Sequence, residues 1–339
     1  MMVSLILPMA AAVLSASAQD TAYFQQGVAY TIEASLDETT DVLGARARLQ
    51  YTNRSQRRID SLYFHLHLNA FRPNSAWSTR DLEMDTPRFS DLGPEDHAFE
   101  RWKSITVDGK PVTVHWPGAP DSTVAVVALP VPLVPGGSVT VMIDWDARLS
   151  TLPRRQGRRG RHFDFAQWYP KIAVFDRDGW EVQALMPQGE FYGEFATFDV
   201  TLDLAADQVV GATGVPVSGD PGWQGARASG AAAPIPRLDV YGTQLPDPLG
   251  FLSGTAAAGR KRIRWYAENV HHFAWSTNPD YTYEGGSYGD VAIHVLYQPG
   301  DDDWARTALG KGASSNVHLP PETAGRVCGS GKLFALCPA

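Results

Sequence analysis

The 339-residue chain has two cysteines, Cys328 and Cys337, both among its last dozen residues. The three hundred residues before them fold without a disulfide framework, although an oxidising compartment would allow one at the end. Neither thiol has the cysteine or histidine company of a structural zinc site. H-E-x-x-H is missing too: none of the nine histidines is followed by Glu and then His at helical spacing. As written, the chain carries no helix-borne zinc site of that type. There is no glycine-rich phosphate loop, no G-x-S-x-G elbow and no cysteine–histidine nucleophile pattern. The formal net charge is -8 and the basic residues form no long stripe, which argues against nucleic acid as a partner.

Long apolar runs are also scarce. Val3 to Leu14 is apolar but too short to span a bilayer, and Ala16-Ser17-Ala18 follows it. The pattern reads as a secretory signal over residues 1–18 with Gln19 as the mature start. The other reading is a buried N-terminal strand or helix. Export would place the protein in the periplasm, outside the cell or on its surface. No transmembrane segment is expected elsewhere.

What is present is alternation. Hydrophobic residues make up 44% of the chain and charged residues 19%, enough for a full globular core. Tyr30, Ile32, Ala34 and Leu36, then Leu43, Ala45, Ala47 and Leu49, predict two strands joined by a polar turn. Leu62, Phe64, Leu66 and Leu68 predict another. Asp108-Gly109 marks a hairpin. Further strands are expected on both sides of "PLVPGG", in "EFATFDVTLDLA", in "QVVGATGVPV", in "IRWYAENVHHFAW" and in "DVAIHVLYQPG". Short strands with turns between them give a mainly β protein, an antiparallel sandwich or saddle. Val217 to Arg237, rich in Gly, Pro and Ala, reads as a loop or insertion. "DDDWARTALGKG" starts like a helix capped by Asp301 or Asp302. The pattern then fails, and residues 311–339 are expected to be an atypical tail, the product of a frameshift or premature truncation.

Several side chains invite a chemical reading. Alternation puts His65 and His67 on one strand face; the choices are a metal pair or a polar face turned to solvent. His271 and His272 are adjacent, so in a strand they point opposite ways. The loop with Arg154, Arg155, Arg158, Arg159 and Arg161 reads either as a mobile solvated loop or as a rim attracting acidic substrates or lipid head groups. Asn53-Arg54-Ser55 fits a glycosylation sequon. The densest aromatic stretch, Phe163 to Trp180, surrounds Gln167 with large rings. It reads as core strands or as the wall of a substrate pocket.

The segments "AQWYPKIAVFDRDGW" and "MPQGEFYGEFATFDVTLDL", with "YTIEASLD", "LYFHLHLNAF" and "WYAENVHHFAW", resemble the N-terminal β-domain of aminopeptidase N-type zinc metallopeptidases, the gluzincins, in a secreted bacterial branch. The resemblance covers roughly Tyr23 to Trp304. It implies a saddle-shaped β-domain over residues 20–287 and the start of a thermolysin-like α/β catalytic domain over residues 288–310. In this chain that second domain is expected to be cut short. It also implies zinc in the full-length family, with none expected on this chain, and a peptide's N-terminal residue as substrate. Gln167 takes the position of the family glutamine that lines the first side-chain pocket. Trp168, Tyr169 and Phe175 would form an apolar wall, and the family's acidic segment after the glutamine corresponds here to "PQGEFYGEF", with Glu190 and Glu194 as candidates to reach the substrate amine. The competing expectation for Gln167 is a bond to a neighbouring backbone amide. The competing expectation for the whole chain is a secreted, non-catalytic β-sandwich binding or scaffold module.

Overall fold

The structure, a computed structural model, describes residues 23–187, 191–226, 256–288, 291–301, 305, 328–330 and 333–335. It is mainly β, as the alternation requires. Gly27–Asp37 and Val42–Thr52 pair antiparallel from Gly27↔Thr52 to Asp37↔Val42. Their even and odd apolar positions, Ile32, Leu36, Leu43 and Leu49 among them, are fully buried. Each such side chain contributes about 1.5–3 kcal/mol of burial. Asp37 closes the turn: Oδ1 accepts from Thr39 N at 2.9 Å and Oδ2 from Thr40 Oγ1 at 3.0 Å.

An eight-stranded sheet grows around this pair. Its order is Val215–Ser218, Arg260–Val270, Ala196–Ala205, Gly27–Asp37, Val42–Thr52, Ser138–Arg148, Phe99–Val107 and Lys110–Pro111. One ladder departs from the antiparallel expectation: Gly27–Asp37 runs parallel to Ala196–Ala205. Parallel neighbours need a long crossover, and here 158 residues separate the two strands. A four-stranded sheet (Lys171–Ile172, Ile59–His65, Val124–Leu133, Val114–His115) shares one continuous apolar cluster with the first. So does a second one, formed by Val209–Ala212, Trp275–Asn278, His162–Phe165 and Gly157–Arg159.

One local expectation changes. The strand begun at Ile59 stops at His65, and His67–Ala70 is a short 3-10 turn, although Leu66 and Leu68 are buried as the alternation demands. The segments flanking "PLVPGG" are the expected strands, and they do not pair with each other. Val124–Leu133 lies in the four-stranded sheet and Ser138–Arg148 in the large one, so this turn crosses the sandwich. The Asp108-Gly109 turn does hold, with φ of 47° and 76°. Val291–Tyr297 pairs with Thr282–Tyr288 and, on its other side, with Leu333–Ala335. Ala305 N donates to Asp301 O at 2.9 Å, one helical contact at the expected cap. Most of the Val217–Arg237 stretch lies outside the described residues.

Candidate functional site

Gln167 follows the His162–Phe165 strand, whose two phenylalanines are fully buried; Phe165 stacks on Trp275 at 4.2 Å between ring centroids. After Gln167 the chain is held by four bonds. Trp168 Nε1 donates to Phe273 O at 3.0 Å, and Trp145 Nε1 donates to Trp168 O at 3.1 Å. Tyr30 OH donates to Pro170 O and accepts from Ile172 N at 2.8 Å. Pinned on both sides, Gln167 adopts φ 54°, a region that costs a residue with a Cβ about 1–2 kcal/mol. Its side chain is 7% exposed and Oε1 is buried without a hydrogen-bond partner. An unpaired buried amide oxygen costs further free energy in the folded chain. The bond to a neighbouring backbone amide, the competing expectation, is not made by Oε1.

Directly after Pro170, Lys171 extends into a buried polar cluster. Its Nζ donates to His271 O at 3.0 Å and lies 3.1 Å from His272 Nε2. Lys171 pairs in register with His65 across the sheet. Burial lowers the amine to about 7, against the pull of Glu194. Burial raises Glu194 to about 7, opposed by the backbone N–H groups of Gln26 and Phe175 and by Lys171. Four imidazoles complete the cluster. Burial takes His65 and His271 down to about 4 and holds His67 and His272 well below the ordinary histidine value. The Phe191 ring lies between His67 and His272, at 5.0 and 5.3 Å. Gly193 is pressed against Lys171: a Cβ there would meet Nζ at 2.1 Å. The site therefore holds an amine and a carboxyl that both change charge near neutrality, enclosed by neutral rings.

The remaining candidates fall elsewhere. Trp168 and Tyr169 are fully buried, their rings packed among Phe198, Phe273 and Trp275. They stand behind Gln167 as core. Glu190 lies outside the described residues. His65 and His67 do not face solvent as a polar strand face would: both are buried, with rings stacked 4.9 Å apart. His65 Nε2 lies 3.1 Å from Glu181 O. A carbonyl only accepts, so Nε2 carries the proton and the partnerless Nδ1 a lone pair. His271 and His272 do not diverge either. The strand ends at Val270, and their rings meet at 4.3 Å over Lys171. Among the described residues no group of three or more His, Cys, Asp or Glu is arranged to hold a metal ion.

The basic loop is a fixed hairpin, not a mobile one. His162 pairs with Arg159 and Phe163 with Arg158. Arg158 binds Leu149 O, Asp41 and Glu95 O, and Arg161 grips Asp207 with two bonds at 2.7 and 2.8 Å. Arg155 reaches the cluster, its guanidinium carbon 5.3 Å from the Phe191 ring centre. The sequon is structural: Asn53 is fully buried, donates to Arg57 O and Leu133 O, and accepts from Ser55 N and Oγ. The Lys171–Glu194 cluster has no sequence motif. Its only advance signal was the pairing of "HLH" with "HH", residues that the topology brings together over more than two hundred positions.

Comparison with known proteins gives distant likenesses. The chain is similar to a two-domain M1 zinc metallopeptidase variant solved with L-tryptophan (TM-score 0.43, 13% identity, 84% of this chain and 52% of that one). It is similar to an M1 zinc metallopeptidase from Deinococcus radiodurans at TM-score 0.42 and 12% identity, with the same coverage. It spans about half the length of these structures. No family model matches the sequence, and no curated protein does.

Proposed function

We propose that this chain is the substrate-side β-domain of an exported, aminopeptidase-like zinc metallopeptidase that cleaves peptides beside a free N-terminus. The zinc ligands and the water they would activate would belong to a catalytic domain outside the described residues. The observation that carries the reading is Gln167. A glutamine held at φ 54° with its Oε1 buried and unpartnered is strained in a way that persists where a site requires it. The spaced segments that resemble the gluzincin β-domain, and the mainly β fold they form, support the same reading. Gln167 would give the first side-chain pocket its one polar contact, with Trp168 and Tyr169 fixing its backbone from behind. Glu194, anchored near Lys171, would position the segment that follows Phe191 and set how binding responds to pH.

The test separates strain from function. In the full-length gene product, hydrolysis of aminoacyl p-nitroanilides with zinc is expected to show KM raised about tenfold in Gln167→Ala and Gln167→Gly, with kcat little changed. In the isolated chain Gln167→Gly should leave the melting midpoint unchanged or raise it, because glycine tolerates the left-handed backbone. A full-length product without zinc-dependent peptidase activity, or variants with unaltered KM, would overturn the reading. Export predicts that N-terminal sequencing of the secreted protein starts at Gln19.

A further inference from the structure

A second site lies away from Gln167. A cleft of about 310 Å³ is lined by Arg72, Pro73, Asn74, His97, Arg101 and Pro120, a volume at the small end of ligand sites. Three separate segments build it, and one buried side chain ties them together. Asn69 Nδ2 donates to Glu100 O and Ser122 O, both at 3.0 Å, and its Oδ1 accepts from Glu100 N at 2.9 Å. The 3-10 turn that ends at Ala70, the Phe99–Val107 strand and the loop before Val124 are thus fixed in place.

The two arginines are held by neutral partners. Arg72 Nη2 donates to Ser122 Oγ at 2.6 Å, and the Arg101 guanidinium lies over the Phe99 ring at 4.1 Å. Neither has a carboxylate partner among the described residues. Asp121 is near enough to act on Arg72, but its two oxygens already accept from Ala76 N at 2.9 Å and Thr123 N at 2.7 Å. Burial and the field of Arg101 both work against charge on Arg72. His97 Nδ1 is engaged by Ala98 O at 2.9 Å, which leaves Nε2 free to accept, or to donate when protonated. Two like charges thus converge on one cleft with open donors, and the carboxylate that acts on Arg72, Asp121, bonds backbone N–H groups rather than either guanidinium.

We propose that this cleft is an anion site that takes a phosphate monoester group. A carboxylate brings one charge and two oxygens, and would leave one guanidinium uncompensated. A phosphate monoester brings about -1.5 to -2 charges near neutrality and three acceptor oxygens, which matches two guanidinium forks. The group can come from a free small molecule or from a lipid headgroup.

Titration calorimetry of the whole chain with inorganic phosphate, and in parallel with acetate, tests the chemistry. Saturable phosphate binding is expected, at least about tenfold tighter than acetate, and weakened about tenfold or more by Arg72→Ala and by Arg101→Ala. Arg154→Ala, in the basic loop outside the cleft, should leave it unchanged. Arg101 is exposed, so its variant keeps the test valid if Arg72→Ala folds poorly; circular dichroism checks both. Co-sedimentation with phosphatidylcholine vesicles containing phosphatidic acid, competed by phosphate and lost in Arg101→Ala, would assign the headgroup. Phosphate binding without vesicle binding would assign the free molecule. Absence of saturable phosphate binding, equal affinity for acetate, or binding that survives both substitutions would overturn the proposal.

Discussion

At the scale of the residue, the informative groups are polar atoms that folding has buried without repayment in hydrogen bonds. Gln167 Oε1 is one; the Glu100 carboxyl is another, with both oxygens buried and partnerless. Burial raises Glu100 well above the ordinary carboxylate value. Below pH about 4.5 the carboxyl is protonated in both states and costs nothing extra. Above it the unfolded chain ionises while the folded one keeps its proton, so stability falls as pH rises. The loss is about 1.4 kcal/mol per pH unit until the folded group also titrates. Glu100→Gln is therefore expected to match the parent melting point near pH 4.5 and exceed it at pH 8. Equal melting points at both pH values would show that the carboxyl finds a partner in solution.

At the scale of the element, turns and crossings decide where strands go. The Asp37 and Asp108-Gly109 turns are local and close the hairpins their sequences specify. The edge strand Val215–Ser218 depends on something less visible. Gly214 has φ 85°, and a Cβ there would lie 2.2 Å from Tyr266 O and 2.8 Å from Ala267 Cβ. Gly214→Ala should cost more than about 1 kcal/mol. A lower urea midpoint and faster amide exchange along Arg260–Val270 would be the signs; an unchanged midpoint would mean the edge strand shifts freely. Gly193→Ala should act differently, by disturbing the seat of Lys171 rather than a ladder.

At the scale of the whole molecule, the buried imidazoles set the response to acid. His65, His67, His271, His272 and His294 all have values pushed down by burial. Their contribution is complete above pH about 6.5 and is lost as pH falls below it, through about 4 for His65, His271 and His294, because the unfolded chain binds protons that the folded one refuses. Glu194, raised to about 7, and Glu100, raised well above the ordinary carboxylate value, work in the opposite direction as pH rises above about 4.5, but two carboxyls oppose five imidazoles. The melting midpoint should drop steeply from pH 6.5 to 4; a flat profile would place these rings in water. The sequence by itself determined the β class, the Tyr30–Leu49 hairpin, the buried faces and the singular position of Gln167 in its aromatic stretch, because alternation and turn chemistry act between neighbours. Only the tertiary structure decided that the Gly27–Asp37 strand lies parallel to Ala196–Ala205, that "PLVPGG" crosses between sheets and that the basic loop is stapled. It alone joined His65 and His67 to Lys171, His271 and His272, and set Arg72 beside Arg101. Those contacts span tens to hundreds of residues, and the free energy that selects them comes from burying one shared core, which no local window of sequence contains.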